Sequence, residues 1–216
     1  MRTGIKINEI FYSIQGESLF AGLPCTFVRL SGCNLRCVYC DTRYAYEEGA
    51  LMSIKEIMGH VSSYHCRLVE ITGGEPLCQD LTPDLISTLI EDGYTVLLET
   101  NGSMDIRPVD PRCIKIVDIK CPGSGESENN NLNNLNHLAG HDQLKFVITD
   151  KNDYVFAKNI FMTTWPDSCP VPVLFSPAHN ILEPALLAEW ILEDKLNVRI
   201  HLQLHKIIWP GAERGK

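Results

Sequence analysis

The sequence is short of positive charge. Its 216 residues carry 19 Lys and Arg against 27 Asp and Glu, a formal net charge of −8. Phosphate neutralisation needs a basic surface, so nucleic acid is not an expected partner, although a local basic pocket for a small anion stays open. No uninterrupted apolar stretch approaches the ~20 residues that span a bilayer, so no membrane partner is expected. The opening Met1-Arg-Thr-Gly-Ile-Lys turns polar at Asn8 and Glu9 and lacks a signal-peptide core. The cytoplasm is therefore the expected compartment. No internal repeat is present. The nine cysteines are odd in number, which excludes a complete intrachain disulfide framework. In a reducing compartment, clustered thiols point to metal or redox chemistry. Hydrophobic residues (44%) and charged residues (21%) occur in ordinary proportions, which excludes global disorder. The length suits one domain over residues 1–216 with a sizeable core.

Short apolar, β-rich runs alternate with amphipathic segments. Strands are expected at 26–31, 68–72, 95–100, 114–119, 144–149, 171–175 and 198–204. Several are continuously apolar, as strands buried on both faces should be. Ser53 and Glu56 form a capping box that opens a helix running to about Ser63. Thr82-Pro83-Asp84 supplies an N-cap and an early proline, with Gly93 as the stop. Further helices are expected at 152–162 and 184–193. Strands alternating with helices imply a parallel sheet with crossovers. The fold class is therefore α/β: a partial, open parallel β/α barrel of about six strands. The connection over 36–52 has little periodicity. Residues 122–137 hold six asparagines among positions 129–136 and read as a mobile surface loop before a lid.

The strongest local feature is Cys33-Asn-Leu-Arg-Cys37-Val-Tyr-Cys40. Three thiols within eight residues, directly after an apolar strand and Gly32, can occupy three corners of an iron–sulfur cube. The fourth iron is then open to a ligand. Structural zinc, completed by His60, His65 or Cys66, is the weaker alternative. The C-x3-C-x2-C spacing, with an aromatic residue before the third cysteine, resembles the radical S-adenosylmethionine (SAM) superfamily. In that superfamily the open iron binds SAM, and one electron cleaves it to a 5′-deoxyadenosyl radical. Thr72-Gly-Gly-Glu-Pro76 is similar to the GGEP segment that meets the SAM amino group.

A more specific resemblance covers nearly the whole chain. Gln15-Gly16-Glu17, then Phe27-Val-Arg29-Leu-Ser-Gly-Cys33, then Cys40-Asp41-Thr42 resemble the 7-carboxy-7-deazaguanine synthase family. That family serves queuosine and 7-deazapurine biosynthesis. The resemblance implies a lyase that converts 6-carboxy-5,6,7,8-tetrahydropterin by ring contraction with loss of ammonia. It also implies a 4Fe-4S cluster, SAM that is recycled rather than consumed, and a magnesium ion (Mg2+). The implied partners are a reducing electron donor such as flavodoxin or ferredoxin and, as in similar proteins, a second copy in a homodimer.

Site roles carry over motif by motif. The cluster loop spans 32–46, with Cys33, Cys37 and Cys40 holding the cluster and Thr42 placing its hydroxyl on Mg2+. Tyr39, Cys40 and Asp41 line the adenosyl side. Gly74 and Glu75 meet SAM, with Glu75 accepting from its ammonium. Asp118, Ile119 and Lys120 contact its ribose and carboxylate, and Ser176, Pro177, Ala178 and His179 flank its adenine. For substrate, Arg29 forks onto the carboxylate, Thr72 touches it, and Ile14, Gln15, Gly16 and Glu17 face its base-like edge. No protein side chain is expected as a catalytic residue, since SAM on the cluster carries the radical. One departure stands out: the family reads QGEG, and here Ser18 replaces the second glycine.

Most of these positions end strands, where parallel α/β folds bind ligands. The remaining cysteines read as small buried hydrophobes, with Cys121 beside Lys120 as the expected exception. His201 and His205, four apart on an expected strand, read as packing residues. Two competing functions remain at this point. One is a glycyl-radical enzyme activating protein, which shares the cluster motif. The other is an electron carrier, which has no use for GGEP or an open iron.

Overall fold

The near-continuous apolar runs form strands because side chains on both sheet faces are covered. The computed structural model describes residues 4–165, 169–212 and 214–215. Nine strands make one sheet: β1 (Ile5–Ile14), β2 (Pro24–Leu30), β3 (Ala50–Met52), β4 (Leu68–Gly73), β5 (Thr95–Thr100), β6 (Ile114–Ile119), β7 (Gln143–Ile148), β8 (Val173–Pro177) and β9 (Arg199–Ile200). Their order is β3-β1-β2-β4-β5-β6-β7-β8-β9, an open sheet. From β2 onward every pairing is parallel. β1 runs antiparallel to both β2 and β3. The expected parallel strands are all present. The two antiparallel strands at one edge are the correction to an all-parallel sheet of about six. Mixed polarity (Lys6, Asn8 and Glu9) concealed β1, and β3 is only three residues long.

The helices are α1 (Ile54–Ser63), α2 (Thr82–Glu91), α3 (Lys151–Thr164), α4 (Pro184–Glu193) and α5 (Leu204–Ile208). The capping box on α1 forms in both directions, Ser53 with Glu56. Asp150 caps α3 by accepting from the Asp153 amide. Thr82 is not the N-cap of α2, as expected, but its first residue; its hydroxyl donates to the Pro76 carbonyl at 2.6 Å. The expected strand over 198–204 shrinks to two residues before the chain turns into α5.

Strand alternation divides the core. One sheet face packs on α1 and α2 through Val28, Val69, Ile71, Val96 and Leu98. The same face continues on α3 and α4 through Val117, Ile119, Phe146 and Phe175. The opposite face carries Phe11, Cys25, Phe27, Leu68, Leu97 and Ile116, an apolar plug inside the curved sheet. Of the spare cysteines, Cys25, Cys113 and Cys121 are buried and Cys66 and Cys169 half-buried, but Cys78 is exposed. Cys121 is no exception to the packing reading, since it joins the α3-side core.

The asparagine-rich segment is neither loose nor a lid. Two of its asparagines, Asn130 and Asn134, substitute for backbone partners. Asn130 accepts from the Lys120 amide and donates to the Lys120 carbonyl, each at 2.8 Å. Asn134, fully buried, donates to the Met104 and Gly102 carbonyls. The segment also braces the cluster loop: the Ser124 carbonyl accepts from Val38 N–H, and Glu126 accepts from Arg36 N–H. Short amide side chains of this kind satisfy an irregular backbone that no ladder covers.

Candidate functional site

A cavity of about 300 Å³ opens where the parallel strands end. Cys33, Cys37 and Cys40 line it together, on a loop that leaves β2 through Gly32 at φ +92°. Among the described residues no three metal-binding side chains converge on a single-ion site, these thiols and the His60, His65 and Cys66 set included. A cube takes one thiolate at each of three separate irons, so thiols ringing a cavity suit it better than they suit zinc.

Other groups on the wall want polar partners. The Tyr39 hydroxyl and Asp118 Oδ1 are buried without a hydrogen bond, and both residues line the cavity. Buried polar atoms are almost always satisfied, so a polar ligand fits here. Asp118 Oδ2 accepts from Lys120 Nζ at 2.6 Å. Burial works against the Lys120 ammonium, but Asp118, Tyr39 and Cys37 outweigh it and hold its pKa above the ordinary lysine range. Ser176, Pro177, Ala178 and His179 lie on the same wall. Ile119 does not: its side chain points to the α3-side core, leaving only backbone for a ligand.

In the GGEP segment Gly73 and Gly74 line the cavity, whereas Glu75 does not. A Cβ on Gly73 would sit 2.1 Å from the Leu30 carbonyl oxygen, and one on Gly74 would sit 2.0 Å from that of Gly32. The glycines are thus required for packing against the cluster loop, whatever ligand comes near. Glu75 is fully buried and absent from the cavity wall. Its carboxylate accepts from Thr100 Oγ1 at 2.9 Å, Asn101 N–H at 2.7 Å and Leu77 N–H at 2.9 Å. It ties the end of β4 to the end of β5. Glu75→Gln is expected to cost about 1–3 kcal/mol in urea denaturation of the apoprotein, because buried donors lose an acceptor. SAM affinity should be unchanged in refolded, cluster-loaded protein. A fall in affinity at unchanged stability would instead mean that the side chain turns to the cofactor.

On the substrate side, Arg29 and Thr72 stand in register on neighbouring strands. Arg29 Nε donates to Glu9 at 2.8 Å, and the guanidinium carbon lies 5.6 Å from the Phe11 ring centroid and 5.9 Å from that of Tyr44. Pairing through Nε fixes the guanidinium of a residue that lines the cavity. Thr42 donates to Asp41 Oδ1 at 2.9 Å, and Asp41 pairs with Lys206 at 3.1 Å. Burial would raise the Asp41 carboxyl, but Lys206 outweighs it and keeps the pKa low.

Gln15 lines the cavity and is also built into the turn. Its amide donates to Glu70 and accepts from Glu17 N–H at 3.0 Å, and its own N–H and carbonyl bond to Leu23 and Gly22. It shapes the turn rather than offering a free amide. Ile14, Gly16 and Glu17 keep their places on the wall. The turn holds Ser18 at φ +60°, the left-handed region where glycine is cheapest. Its N–H donates to His201 Nε2 at 2.8 Å.

Several wall residues escaped the sequence reading. Glu70, Glu99 and Lys145 form a charged floor, and Asn101, Gln203, His205 and Lys206 close the rim. A signal for the floor was available: one charge interrupts each of the apolar runs Leu-Val-Glu-Ile, Leu-Leu-Glu-Thr and Leu-Lys-Phe-Val. Lys145 pairs with Glu17 and, at 2.6 Å, with Glu99. Burial would raise Glu17, but Lys145 and His201 hold its pKa far below the usual carboxylate range. His205, expected among packing residues on a strand, lies in α5 against Gly16 and lines the cavity. His201 matches the packing role.

Residues 27–116 match the radical SAM superfamily. A 7-carboxy-7-deazaguanine synthase of Koribacter versatilis is 43% identical over 98% of this chain and 100% of its own length. One of Chlorobaculum tepidum is 47% identical over 98% of this chain and 97% of its own. The crystal structure of QueE from Escherichia coli superposes with a TM-score of 0.73 at 25% identity, covering 94% of this chain and 95% of that one.

Proposed function

The chain belongs to the 7-carboxy-7-deazaguanine synthase family of radical SAM enzymes, and from that membership we propose that it contracts 6-carboxy-5,6,7,8-tetrahydropterin to 7-carboxy-7-deazaguanine with loss of ammonia. The observation that carries this reading is one cavity shared by the cluster thiols, Arg29 and Thr72. It is a lyase whose cofactors are a 4Fe-4S cluster and SAM, which when bound supply the radical that removes hydrogen from carbon 6 of the substrate. Cys33, Cys37 and Cys40 hold the cluster. Tyr39, Asp118 and Lys120 meet the polar groups of SAM, and Ser176–His179 its adenine. Arg29 receives the substrate carboxylate, Thr72 orients the ring, and Glu17 with the Ile14–Gly16 backbone accepts the base-like edge. Thr42, whose hydroxyl is oriented by Asp41 at 2.9 Å, would hold Mg2+ through a hard oxygen ligand. One radical SAM domain, a homodimer in the cytoplasm and reduction by a flavodoxin or ferredoxin complete the reading. No helix among the described residues is long and apolar enough to cross a membrane. The activating-enzyme alternative gains no support, since the carboxylate-and-lysine floor suits a small polar substrate.

Anaerobically reconstituted, reduced protein given SAM, Mg2+ and the carboxytetrahydropterin should form the deazaguanine. No product with an intact cluster would sink the reading. Arg29→Ala should keep the cluster and weaken substrate binding by about 1.5–3 kcal/mol, as for a charged hydrogen bond. The check is substrate titration of the reconstituted variant. Cluster loss there would make Arg29 structural.

A further inference from the structure

The floor of the cavity holds three carboxylates and one ammonium. Lys145 pairs with Glu17 and Glu99. Glu70 has no ion pair among the described residues, and its carboxyl bonds to the Gln15 amide. Glu70 lies on β4 two residues below Thr72, on the same face, so about 7 Å deeper in the barrel. It is buried yet lines the cavity.

We propose that Glu70 is the acid–base group for carbon–nitrogen cleavage in this enzyme. The proposal rests on the substrate reading above. Once the ring has contracted, the Glu70 carboxyl gives its proton to the amine nitrogen about to leave. The C–N bond breaks with its electron pair on nitrogen, and ammonia departs. The neighbouring ring carbon loses a proton, whose bonding pair becomes the new C=C bond, and the Glu70 carboxylate takes that proton up. One C–N and one C–H bond are broken, one C=C bond is formed, and Glu70 ends as it began. No oxidant or reductant is needed.

The electrostatics agree with this placement. Burial first, then the charges of Glu99 and Glu17, push the Glu70 carboxyl up to about 8. It is therefore protonated at neutral pH without being too weak an acid. Among the described residues, the titratable and charged groups that act on it are Glu17 beyond β1, Glu99 on β5 and Lys145 on β7, and it acts in turn on Cys25 of β2. Glu17 is held low, Cys25 and Lys145 are held high, and burial raises Glu99 against the pull of Lys145.

The test uses reconstituted holoenzyme and substrate deuterated at carbon 6. In Glu70→Gln, deuterium should still reach 5′-deoxyadenosine and SAM at the wild-type rate, while ammonia release falls about 10²–10⁴-fold. Ammonia release at the wild-type rate, or parallel loss of both readouts with the cluster intact, would overturn the proposal. Glu70→Asp, which keeps the acid, should recover part of the ammonia release; no recovery in a folded, cluster-loaded variant counts against it. Wild-type ammonia release should decline above about pH 8, a limb absent in Glu70→Gln; its persistence there would assign it to another group. Infrared spectra of the apoprotein should show a protonated carboxyl at pH 7 that Glu70→Gln removes, and absence of that band from the wild type would also overturn it. If the wild type transfers no deuterium at all, the substrate reading itself fails and the proposal falls with it, a result separable from any effect of the variant.

Discussion

Cys37→Ala is expected to remove the iron–sulfur cluster and all SAM cleavage together. Cys37 is the middle one of three thiols within eight residues, and Cys33 and Cys40 line the same cavity. No other described cysteine lines that wall, so no spare thiol can take its place. The nearest candidate by chain position, Cys121, is sealed in the core. The fold should survive, because Cys37 is only half-buried and joins none of the hydrophobic clusters. The measurement is iron and sulfide content, visible absorbance of thiolate-bound iron, and 5′-deoxyadenosine formed after reduction. A variant that kept a full cluster and cleaved SAM would show that another group caps that corner.

The second large effect is expected at Lys145, in the fold rather than the cofactor. Its side chain is 6% exposed and lies between Glu17 and Glu99. Lys145→Met leaves the half-buried carboxylates of Glu17 and Glu99 facing each other with Glu70 nearby. Breaking a buried ion pair from one side costs about 3–5 kcal/mol; here Glu17 keeps the Gln203 amide as a donor at 2.7 Å and both carboxylates line the cavity, so the low end of that range is expected. Urea denaturation of the apoprotein reads this cost. The control is the triple variant with Glu17→Gln and Glu99→Gln as well, which removes the stranded charges and should recover most of the loss. A single variant as stable as the wild type would mean that the carboxylates are already neutral and the pairing is incidental. Substrate binding should weaken in both variants, since the Glu17 carboxylate loses its counter-charge in one and is absent in the other.

The convergence of Cys33, Cys37 and Cys40 on one cavity was legible because it follows from spacing along a few residues. The parallel strands were legible for the same reason, as was the capping box on α1. Glu75 was misread because an acidic residue beside two glycines suits a ligand amine as well as it suits buried amides. Only the approach of β5, twenty-five residues on, supplies the Thr100 and Asn101 donors that claim it. The asparagine run was misread because composition distinguishes a polar loop from a core segment, but not a free amide from one pinned to Gly102 and Met104.

Patterns local to the chain thus specify which thiols share one loop and which runs become strands, since both depend on near neighbours and on periodicity. The charged floor and the place of His205 belong to another scale. Lys145 meets Glu17 across 128 positions, and Gly16 meets His205 only after the chain has crossed the whole sheet. Within a strand, parity separates Glu70 from Val69. Which parity faces inward is settled when helices cover the other side and the sheet curls, bringing like charges from separate strands around one ammonium.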